Sequence, residues 1–300
     1  MRQRPLLAFL AAGFLMTEAS AQVPLTWDST GHVMVPALVN GKGPYNFILD
    51  TGADESAVYA WFAKSLDLPK GESRELSGAT GSEQMTVTRL STLGVDGHVV
   101  GNIEADTLPD RTDGAKIAGI VGVDLMAHQA AVIDFACKTF ALRPVENMDA
   151  EIVGNNAKLI KAGSIKGGNE LTLPVTVNGV AGTAVLDTGS SSTQINSAFA
   201  AAVGIAPNSG AFKDIATRGA TQTSVPARVG PIGTVQFAGI TRADAIARVV
   251  DLPYLKEAGL ADVPAMNLGL NLLRGTRLTV DYSARRFWLA PSSCSSDVQP

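Results

Sequence analysis

The sequence has few of the residues that build metal sites or nucleic-acid surfaces. It contains two cysteines and three histidines, and His32, His98 and His128 lack the spacing of metal ligands. Its 24 basic and 28 acidic residues are spread along the chain, without the basic block that favours nucleic acid. Aromatic residues make up only 6%. Gly, Ala, Val, Thr and Ser are abundant instead, which favours many strands joined by tight turns. The histidine spacing predicts no metal site, and the spread of charge predicts no nucleic-acid partner.

Residues 1–21 have the pattern of a Sec-type signal peptide. Arg2 and Arg4 precede an apolar run at 6–16, and a small-x-small cleavage site follows at 19–21. The apolar run is too short to span a bilayer, and no cysteine follows the cleavage site to carry a lipid. We therefore expect a periplasmic or secreted protein with no stable membrane anchor. An uncleaved anchor or a buried first helix is the alternative.

The two cysteines, Cys137 and Cys294, fit an oxidising compartment. A disulfide between them would close a long loop and stabilise the fold by roughly 4 kcal/mol in the chain-entropy description. Two buried free thiols are the alternative that the sequence leaves open. Neither cysteine has the surroundings of a nucleophile or a metal ligand.

One pattern occurs twice in the chain. Residues 35–52 (VPALVNGKGPYNFILDTG) match residues 173–189 (LPVTVNGVAGTAVLDTG). Each copy reads as a strand, an Asn-Gly turn and a second strand that ends in Asp-Thr-Gly, which predicts a β-hairpin followed by a loop. A short helical pattern follows each copy, at 57–68 and at 196–205.

A second pair of matching blocks, 119–142 and 267–289, extends the repeat. Each runs through two apolar residues and a glycine, then a helical turn, then a strand. The paired positions are Gly122 with Gly269, Asp124 with Asn271, Asp134 with Asp281, and Phe140 with Phe287. Such a repeat predicts two duplicated lobes related by a pseudo-twofold axis.

The lobes are predicted at 22–150 and 169–300, with a polar linker at 151–168. Two parts of the linker, 151–153 and 158–160, could add short strands. A helix is predicted after Pro253 in the longer second half. Asp134 and Asp281 precede aromatic residues inside strand patterns, and we interpret both as structural.

The repeated aspartates, Asp50 and Asp187, would meet at the twofold axis. Two neighbouring carboxylates cannot both ionise cheaply, so the pair shares a proton. The ionised member can activate a water for attack on a peptide carbonyl while the protonated member donates to the carbonyl oxygen. The glycines Gly52 and Gly189 allow a sharp turn. The residues predicted to support the loops are Thr51, Gly52, Ala53, Thr188, Gly189 and Ser190.

These motifs resemble those of the pepsin/retropepsin superfamily of aspartic peptidases. The resemblance lies in the Asp-Thr-Gly motifs at 48–53 and 185–190 and the apolar-apolar-Gly segments at 120–122 and 267–269. The following GVDLM and GLNLL resemble a stretch of the retroviral enzymes. The resemblance implies an all-β, bilobal aspartic-protease-like fold, with two β-barrel-like lobes, short helices and a cleft between them. It also implies a cofactor-free endopeptidase acting on a peptide or protein substrate, as a monomer with an internal pseudo-dimer.

The resemblance further implies a flap, a glycine-bearing hairpin over the cleft. Both halves offer one, at 77–87 and 217–225, and both share a Gly-Ala-Thr kernel without the tyrosine of pepsin-like flaps. We therefore interpret the chain as two fused retropepsin-like halves. The candidate flap residues are Gly78, Ala79, Thr80, Gly81, Gly219, Ala220 and Thr221.

The halves differ after the motif glycine, where the first has Ala53 and the second Ser190. A hydroxyl there could stabilise the ionised form of its own aspartate, so we expect Asp187 to carry the charge and Asp50 the proton. Ser190–Ser192 lack the Gly-x-Ser-x-Gly elbow of serine hydrolases. Arg218, near the second flap, is interpreted as a solvated side chain rather than a reader of acidic substrate groups.

Three functions remain open from the sequence. The first is a general endopeptidase, and the second is a processing peptidase with narrow specificity. The third, from another class, is a catalytically silent peptide-binding protein of the same fold. Loss of either aspartate or of a motif glycine would mark the silent protein, and all four residues are present.

Overall fold

The computed structural model describes residues 22–146, 148–163, 165, 169–221 and 223–295. The predicted signal peptide lies outside these residues. The strands are β1 (Val23–Pro24), β2 (Thr26–Trp27), β3 (Val33–Val39), β4 (Lys42–Leu49), β5 (Ala57–Tyr59), β6 (Lys70–Gly78), β7 (Gly81–Val95), β8 (His98–Leu108), β9 (Gly119–Val121), β10 (Ala130–Asp134), β11 (Thr139–Arg143), β12 (Lys158–Lys161), β13 (Thr172–Val177), β14 (Val180–Leu186), β15 (Gln194–Ile195), β16 (Lys213–Arg218), β17 (Ser224–Phe237), β18 (Ile240–Val249), β19 (Ala265–Leu268), β20 (Thr276–Asp281) and β21 (Arg286–Pro291). The helices are α1 (Ala60–Ser65), α2 (Val123–Met126), α3 (Ala150–Val153), α4 (Ser197–Ala202), α5 (Pro253–Glu257) and α6 (Leu270–Leu273). All of these helices are too short to cross a membrane within the described part of the chain.

Each half of the chain forms a closed barrel of six strands. The N-lobe order is β3-β4-β9-β5-β8-β7, and β7 pairs back to β3. The C-lobe order is β13-β14-β19-β15-β18-β17, and β17 pairs back to β13. The parallel pairs also correspond, because β4–β9 and β5–β8 match β14–β19 and β15–β18. The all-β, bilobal fold is therefore confirmed.

The two predicted hairpins form at their Asn-Gly turns. Asn40 and Gly41 have φ values of 52° and 72°, and Asn178 and Gly179 have φ values of 49° and 84°. Both central residues of each turn are thus left-handed, as a two-residue turn between twisted strands requires. The turns join β3 to β4 and β13 to β14, and both second strands end at the Asp-Thr-Gly motif.

The helical patterns after the motifs give shorter helices than predicted. Residues 57–59 form strand β5, which pairs with β8 and β9 inside the barrel, so helix α1 begins only at Ala60. In the second half, α4 begins at Ser197, where the side chain of Asn196 accepts a hydrogen bond from the Phe199 amide (2.9 Å). The helix predicted after Pro253 is present as α5.

A third sheet is built from both halves. Its order is β1-β11-β10-β20-β21-β12, and β10 pairs with β20 of the other half. The segment predicted as a linker contributes β12, which pairs with β21. The short strand expected at 151–153 is wrong, because these residues belong to α3, which Asp149 caps through the amides of Glu151 and Ile152.

A disulfide joins Cys137, in the turn between β10 and β11, to Cys294 after β21 (S–S 1.99 Å). Asp134 accepts hydrogen bonds from the Cys137 amide (2.9 Å) and the Ser292 hydroxyl (2.6 Å), so it anchors both ends of this link. The structural interpretation of Asp134 is confirmed.

Its counterpart Asp281 is also structural. This buried carboxylate accepts hydrogen bonds from Arg286 (2.9 Å), from the Ser283 hydroxyl (2.6 Å) and from the Ala284 amide (3.1 Å). All three donors lie in the turn between β20 and β21 or at its end. The carboxylate therefore fixes that turn.

Replacing Cys294 by serine should lower the free energy of unfolding by about 2–5 kcal/mol, because the unfolded chain regains the freedom that the 157-residue link removes. Urea unfolding under oxidising conditions measures the difference. Dithiothreitol should destabilise the wild type to the same level and leave the Cys294→Ser variant unchanged. Equal stability of the oxidised wild type and the variant would contradict this expectation.

Candidate active site

Each motif aspartate stands at the end of a strand that a parallel neighbour supports. Asp50 follows β4, and its amide donates to the Val121 carbonyl at the end of β9 (3.0 Å). Asp187 follows β14, and its amide donates to the Leu268 carbonyl at the end of β19 (3.1 Å). Because the supports are equivalent, the two barrels present their aspartates in the same way.

The motif threonines lock the two loops together across the lobe boundary. The Thr51 amide donates to Thr188 Oγ1 (3.0 Å), and the Thr188 amide donates to Thr51 Oγ1 (3.1 Å). Each hydroxyl then donates to the opposite lobe, Thr51 to the Leu186 carbonyl (3.2 Å) and Thr188 to the Leu49 carbonyl (2.7 Å). Both threonines are fully buried. Neither loop can move without breaking bonds to the other.

The motif glycines leave room for the opposing carboxylates. A Cβ on Gly189 would lie 2.1 Å from Asp50 Oδ2, and a Cβ on Gly52 would lie 3.3 Å from Asp187 Oδ1. The first distance excludes any side chain at position 189. Each carboxylate therefore rests against the glycine of the other loop, and the structure brings Asp50 and Asp187 together as the repeat predicts.

The two partly buried carboxyl groups differ in their hydrogen bonds. Burial, and then the charge of Asp187, raises the pKa of Asp50 to about 8, although hydrogen bonds from the amides of Gly52 and Ala53 oppose the rise. Burial also raises the pKa of Asp187, but hydrogen bonds from Asn267 and from the amides of Gly189 and Ser190 oppose the rise. These hydrogen bonds favour the proton on Asp50 and the charge on Asp187.

Asn267 is the main source of this difference. Its Nδ2 donates to Asp187 Oδ2 (2.6 Å), while its Oδ1 accepts a hydrogen bond from the Tyr254 hydroxyl (2.6 Å). The tyrosine thus turns the amide so that its donor faces the carboxylate. The N-lobe has Ile120 at the equivalent position, so Asp50 has no such support. The repeated motifs do not single out Asn267, although the aligned segments GIVG and MNLG differ at this residue.

The role expected for the Ser190 hydroxyl is wrong. It donates to the Ser192 carbonyl (2.8 Å) within its own loop, and only the Ser190 amide reaches Asp187 Oδ1 (3.1 Å). The backbone carbonyls of Ala53 and Ser190 have equivalent roles. The Ala53 carbonyl accepts a hydrogen bond from the amide of Val123, the first residue of α2, and the Ser190 carbonyl accepts one from the amide of Leu270, the first residue of α6. The assignment of the charge to Asp187 therefore rests on Asn267.

The paired positions Asp124 and Asn271 tie the loops to these helices. Asp124 accepts the Ser56 hydroxyl (2.6 Å), and Asn271 accepts the Thr193 hydroxyl (2.8 Å). Each hydroxyl also accepts an amide hydrogen bond, from Gly122 (3.0 Å) and from Gly269 (3.1 Å) respectively. These side chains hold the loops that carry the aspartates.

The flap candidates form two hairpin tips that meet. Thr80 Oγ1 lies 3.3 Å from Thr221 Oγ1 and accepts the Gly219 amide (3.1 Å). Both threonines are 1% exposed, so the contact is buried. Gly81 has a φ of 134°, which requires glycine at the turn between β6 and β7.

The C-lobe tip also reaches the wall of the N-lobe. Ala220 packs on an apolar cluster that contains Ile48 and Ile120, the residues beside the Asp50 loop, and Ala53 packs on the same cluster. The remaining flap candidates, Gly78 and Ala79, lead into the same tip contact, where a Cβ on Gly78 would lie 3.3 Å from Thr221. The C-lobe tip and the Asp50 loop therefore contact the same apolar cluster.

Arg218 and the possibility of a metal site complete the comparison with the sequence. Arg218 donates to the Thr112 hydroxyl of the other lobe (2.8 Å) and is exposed. Among the residues that the structure describes, no group of three or more His, Cys, Asp or Glu side chains is arranged to hold a metal ion.

Asp50→Asn should make the protein more stable than the wild type at pH 8 and about equally stable at pH 4. Between pH 3.8 and about 8, folded Asp50 holds a proton that the unfolded chain has lost, so wild-type stability falls as pH rises through this window. An amide removes that dependence, and the gain at pH 8 should exceed about 1 kcal/mol.

Urea unfolding at pH 4, 6 and 8 gives the measurement. The matched control is Asp262→Asn, because Asp262 is exposed and should follow the wild type at every pH. Parallel curves for Asp50→Asn and the wild type would show that Asp50 titrates normally.

Comparison with known proteins agrees with this geometry. The sequence profile of the aspartyl protease family matches residues 35–125 and 173–272, more than half of the chain, and each match contains one Asp-Thr-Gly motif. No curated protein matches the chain. The paired matches, one in each barrel, show that the chain belongs to the aspartyl protease family as an internally duplicated member.

Proposed function

We propose that the protein is an exported aspartic endopeptidase that hydrolyses peptide bonds with a water held between Asp50 and Asp187. The observation that carries the proposal is the pair of partly buried carboxyl groups with different hydrogen bonds, one supported as an anion by Asn267 and the other with a pKa raised to about 8. Such a pair supplies a base and an acid at one pH without a metal or cofactor.

The reaction uses the two carboxyl groups in turn. Ionised Asp187 takes a proton from the water, whose oxygen attacks the peptide carbonyl carbon, while Asp50 gives its proton to the carbonyl oxygen. In the resulting gem-diol, Asp50 takes back a proton from a hydroxyl as Asp187 donates its proton to the nitrogen. The C–N bond breaks, and the starting protonation states return.

The two hairpin tips support the binding of an extended peptide over the aspartates. Their contact includes hydrogen bonds around Thr80 and Thr221 and the packing of Ala220, and the tips must separate for the substrate to enter. Ile48 and Val185 each lie two residues before a motif aspartate, and each belongs to an apolar cluster of its own lobe. These surfaces favour apolar side chains on either side of the cleaved bond.

The cellular setting is part of the proposal. The basic and apolar start of the sequence and the Cys137–Cys294 disulfide support export to the periplasm or the medium. Both aspartates come from one chain, which supports a monomer that acts on a peptide or protein substrate.

Asp50→Asn and Asp187→Asn should each lower kcat/KM by about a thousandfold or more, because either change removes one of the two proton-transfer groups. The assay is cleavage of a degenerate decapeptide library by the chain from Gln22, read by mass spectrometry between pH 3 and 8. Asp262→Asn, an exposed aspartate, is the matched control. Peptide binding without cleavage by the wild type would favour a catalytically silent binding protein instead, and full activity of either motif variant would place the chemistry elsewhere.

Asn267→Leu should move the acid limb of the pH–activity profile to higher pH. The amide stabilises ionised Asp187, so its loss raises the pKa of Asp187, and the active form with one charge appears only at higher pH. The basic limb, set by Asp50, should move much less. Asn208→Leu, at an exposed position, is the control, and an unchanged acid limb in Asn267→Leu would remove Asn267 from the assignment.

A further inference from the structure

The cleft face of each barrel carries a row of four side chains at paired positions on four neighbouring strands. Paired residues of neighbouring strands point to the same face of a sheet. The N-lobe row is Ile48, Ile120, Ala57 and Asp106. The C-lobe row is Val185, Asn267, Gln194 and Arg248. The equivalent ends of the two rows therefore carry opposite charges, Asp106 in one lobe and Arg248 in the other.

The charge at the end of the N-lobe row is neutralised. Arg74, on the flap strand β6, binds Asp106 with two hydrogen bonds (Nε to Oδ1 2.8 Å, Nη2 to Oδ2 3.0 Å). The same guanidinium also pairs with Glu55 in the loop after Asp50. This end of the cleft thus has its own counter-charges.

The charge at the end of the C-lobe row has no such partner. In the first flap, Arg74 lies four residues before the Gly-Ala-Thr kernel. The equivalent residue of the second flap is Ile215, which carries no charge. Arg248 Nη1 approaches the Thr217 hydroxyl (3.3 Å) and Nη2 approaches the Ser192 hydroxyl (3.5 Å). No carboxylate of the described residues forms an ion pair with Arg248, and its partial burial lowers the pKa of its guanidinium.

The surroundings of Arg248 place it at the cleft. Thr217 belongs to the flap strand β16, and Ser192 belongs to the loop that begins with Asp187. Val250, two residues further along the same face, packs in the apolar cluster of Val185. A partly buried cation without a counter-charge is unfavourable unless a partner arrives, and a guanidinium fork fits a carboxylate.

We propose that Arg248 is a specificity-determining residue that binds a carboxylate of the peptide substrate on the C-lobe side of the cleaved bond. This inference rests on the proposed peptidase function. The carboxylate belongs either to an acidic side chain or to the C-terminus of the peptide, and both present the same two oxygens to the arginine. The N-lobe side, where Arg74 already neutralises Asp106, lacks this preference.

Pairs of decapeptides that differ only by Glu or Gln at one position, moved along the sequence, test the proposal. Each pair is made with a free and with an amidated C-terminus, which separates the two sources of the carboxylate. The wild type should cleave the acidic member faster by about tenfold at one subsite, or the free acid faster than the amide by the same factor. Added salt should reduce the preference.

Arg248→Met should abolish this preference by slowing cleavage of the acidic peptides about tenfold while leaving their neutral partners unchanged. Arg248→Lys should keep part of it, because the positive charge remains. Arg89→Met is the matched control, since Arg89 is an exposed arginine that pairs with Glu104. Equal cleavage of acidic and neutral peptides by the wild type, or a preference that survives in Arg248→Met, overturns the proposal while the peptidase function stands.

Binding measurements separate this proposal from the function on which it rests. Fluorescence anisotropy of labelled peptides on the Asp50→Asn variant reports binding whether or not the wild type cleaves. Tighter binding of acidic peptides that Arg248→Met abolishes in this background supports the role of Arg248 even if no peptide is cut. Equal binding of acidic and neutral peptides in this background overturns it.

Discussion

Asp50 and Asp187 would repel each other if both were ionised, and the structure depends on holding these two side chains together at the lobe boundary. The crossed hydrogen bonds of Thr51 and Thr188 do so directly, because each threonine binds the backbone of the opposite lobe. Removal of one hydroxyl would take a hydrogen-bond partner from two backbone groups of the opposite lobe. The shared third sheet and the disulfide also link the two halves, and together with the rigid barrels they hold the lobes in the relative position that the four threonine hydrogen bonds require.

The duplicated halves have the same topology but different polar groups at equivalent positions. Ile120 and Asn267 occupy the same place behind the two aspartates, yet only Asn267 donates to a carboxylate. A symmetric pair would share its proton equally between two like sites. The single amide, oriented by Tyr254, therefore turns a symmetric pair into a distinct acid and base.

The sequence predicts most of what the repeat itself encodes. The hairpins, the Asp-Thr-Gly loops and the flap pairing follow from local patterns that occur twice, and the Asn-Gly turns impose their backbone conformation locally. The sequence does not predict the contacts that differ between the halves. Tyr254 reaches Asn267 from a helix with no counterpart in the first half, and the Ser190 hydroxyl donates to the Ser192 carbonyl of its own loop. Such choices depend on distances that only the folded chain sets.

Fusion of two halves into one chain is what permits this divergence. In a dimer of identical chains, each cleft residue occurs twice, so an arginine at one end of the cleft would stand at both ends. In this chain, Asp106 with Arg74 forms one end and Arg248 forms the other. A peptide has a direction, from its N-terminus to its C-terminus, and a cleft with unlike ends can distinguish that direction. The asymmetry of charge along the cleft and the asymmetry of protonation at its centre therefore have one origin, the independent evolution of two copies in a single chain.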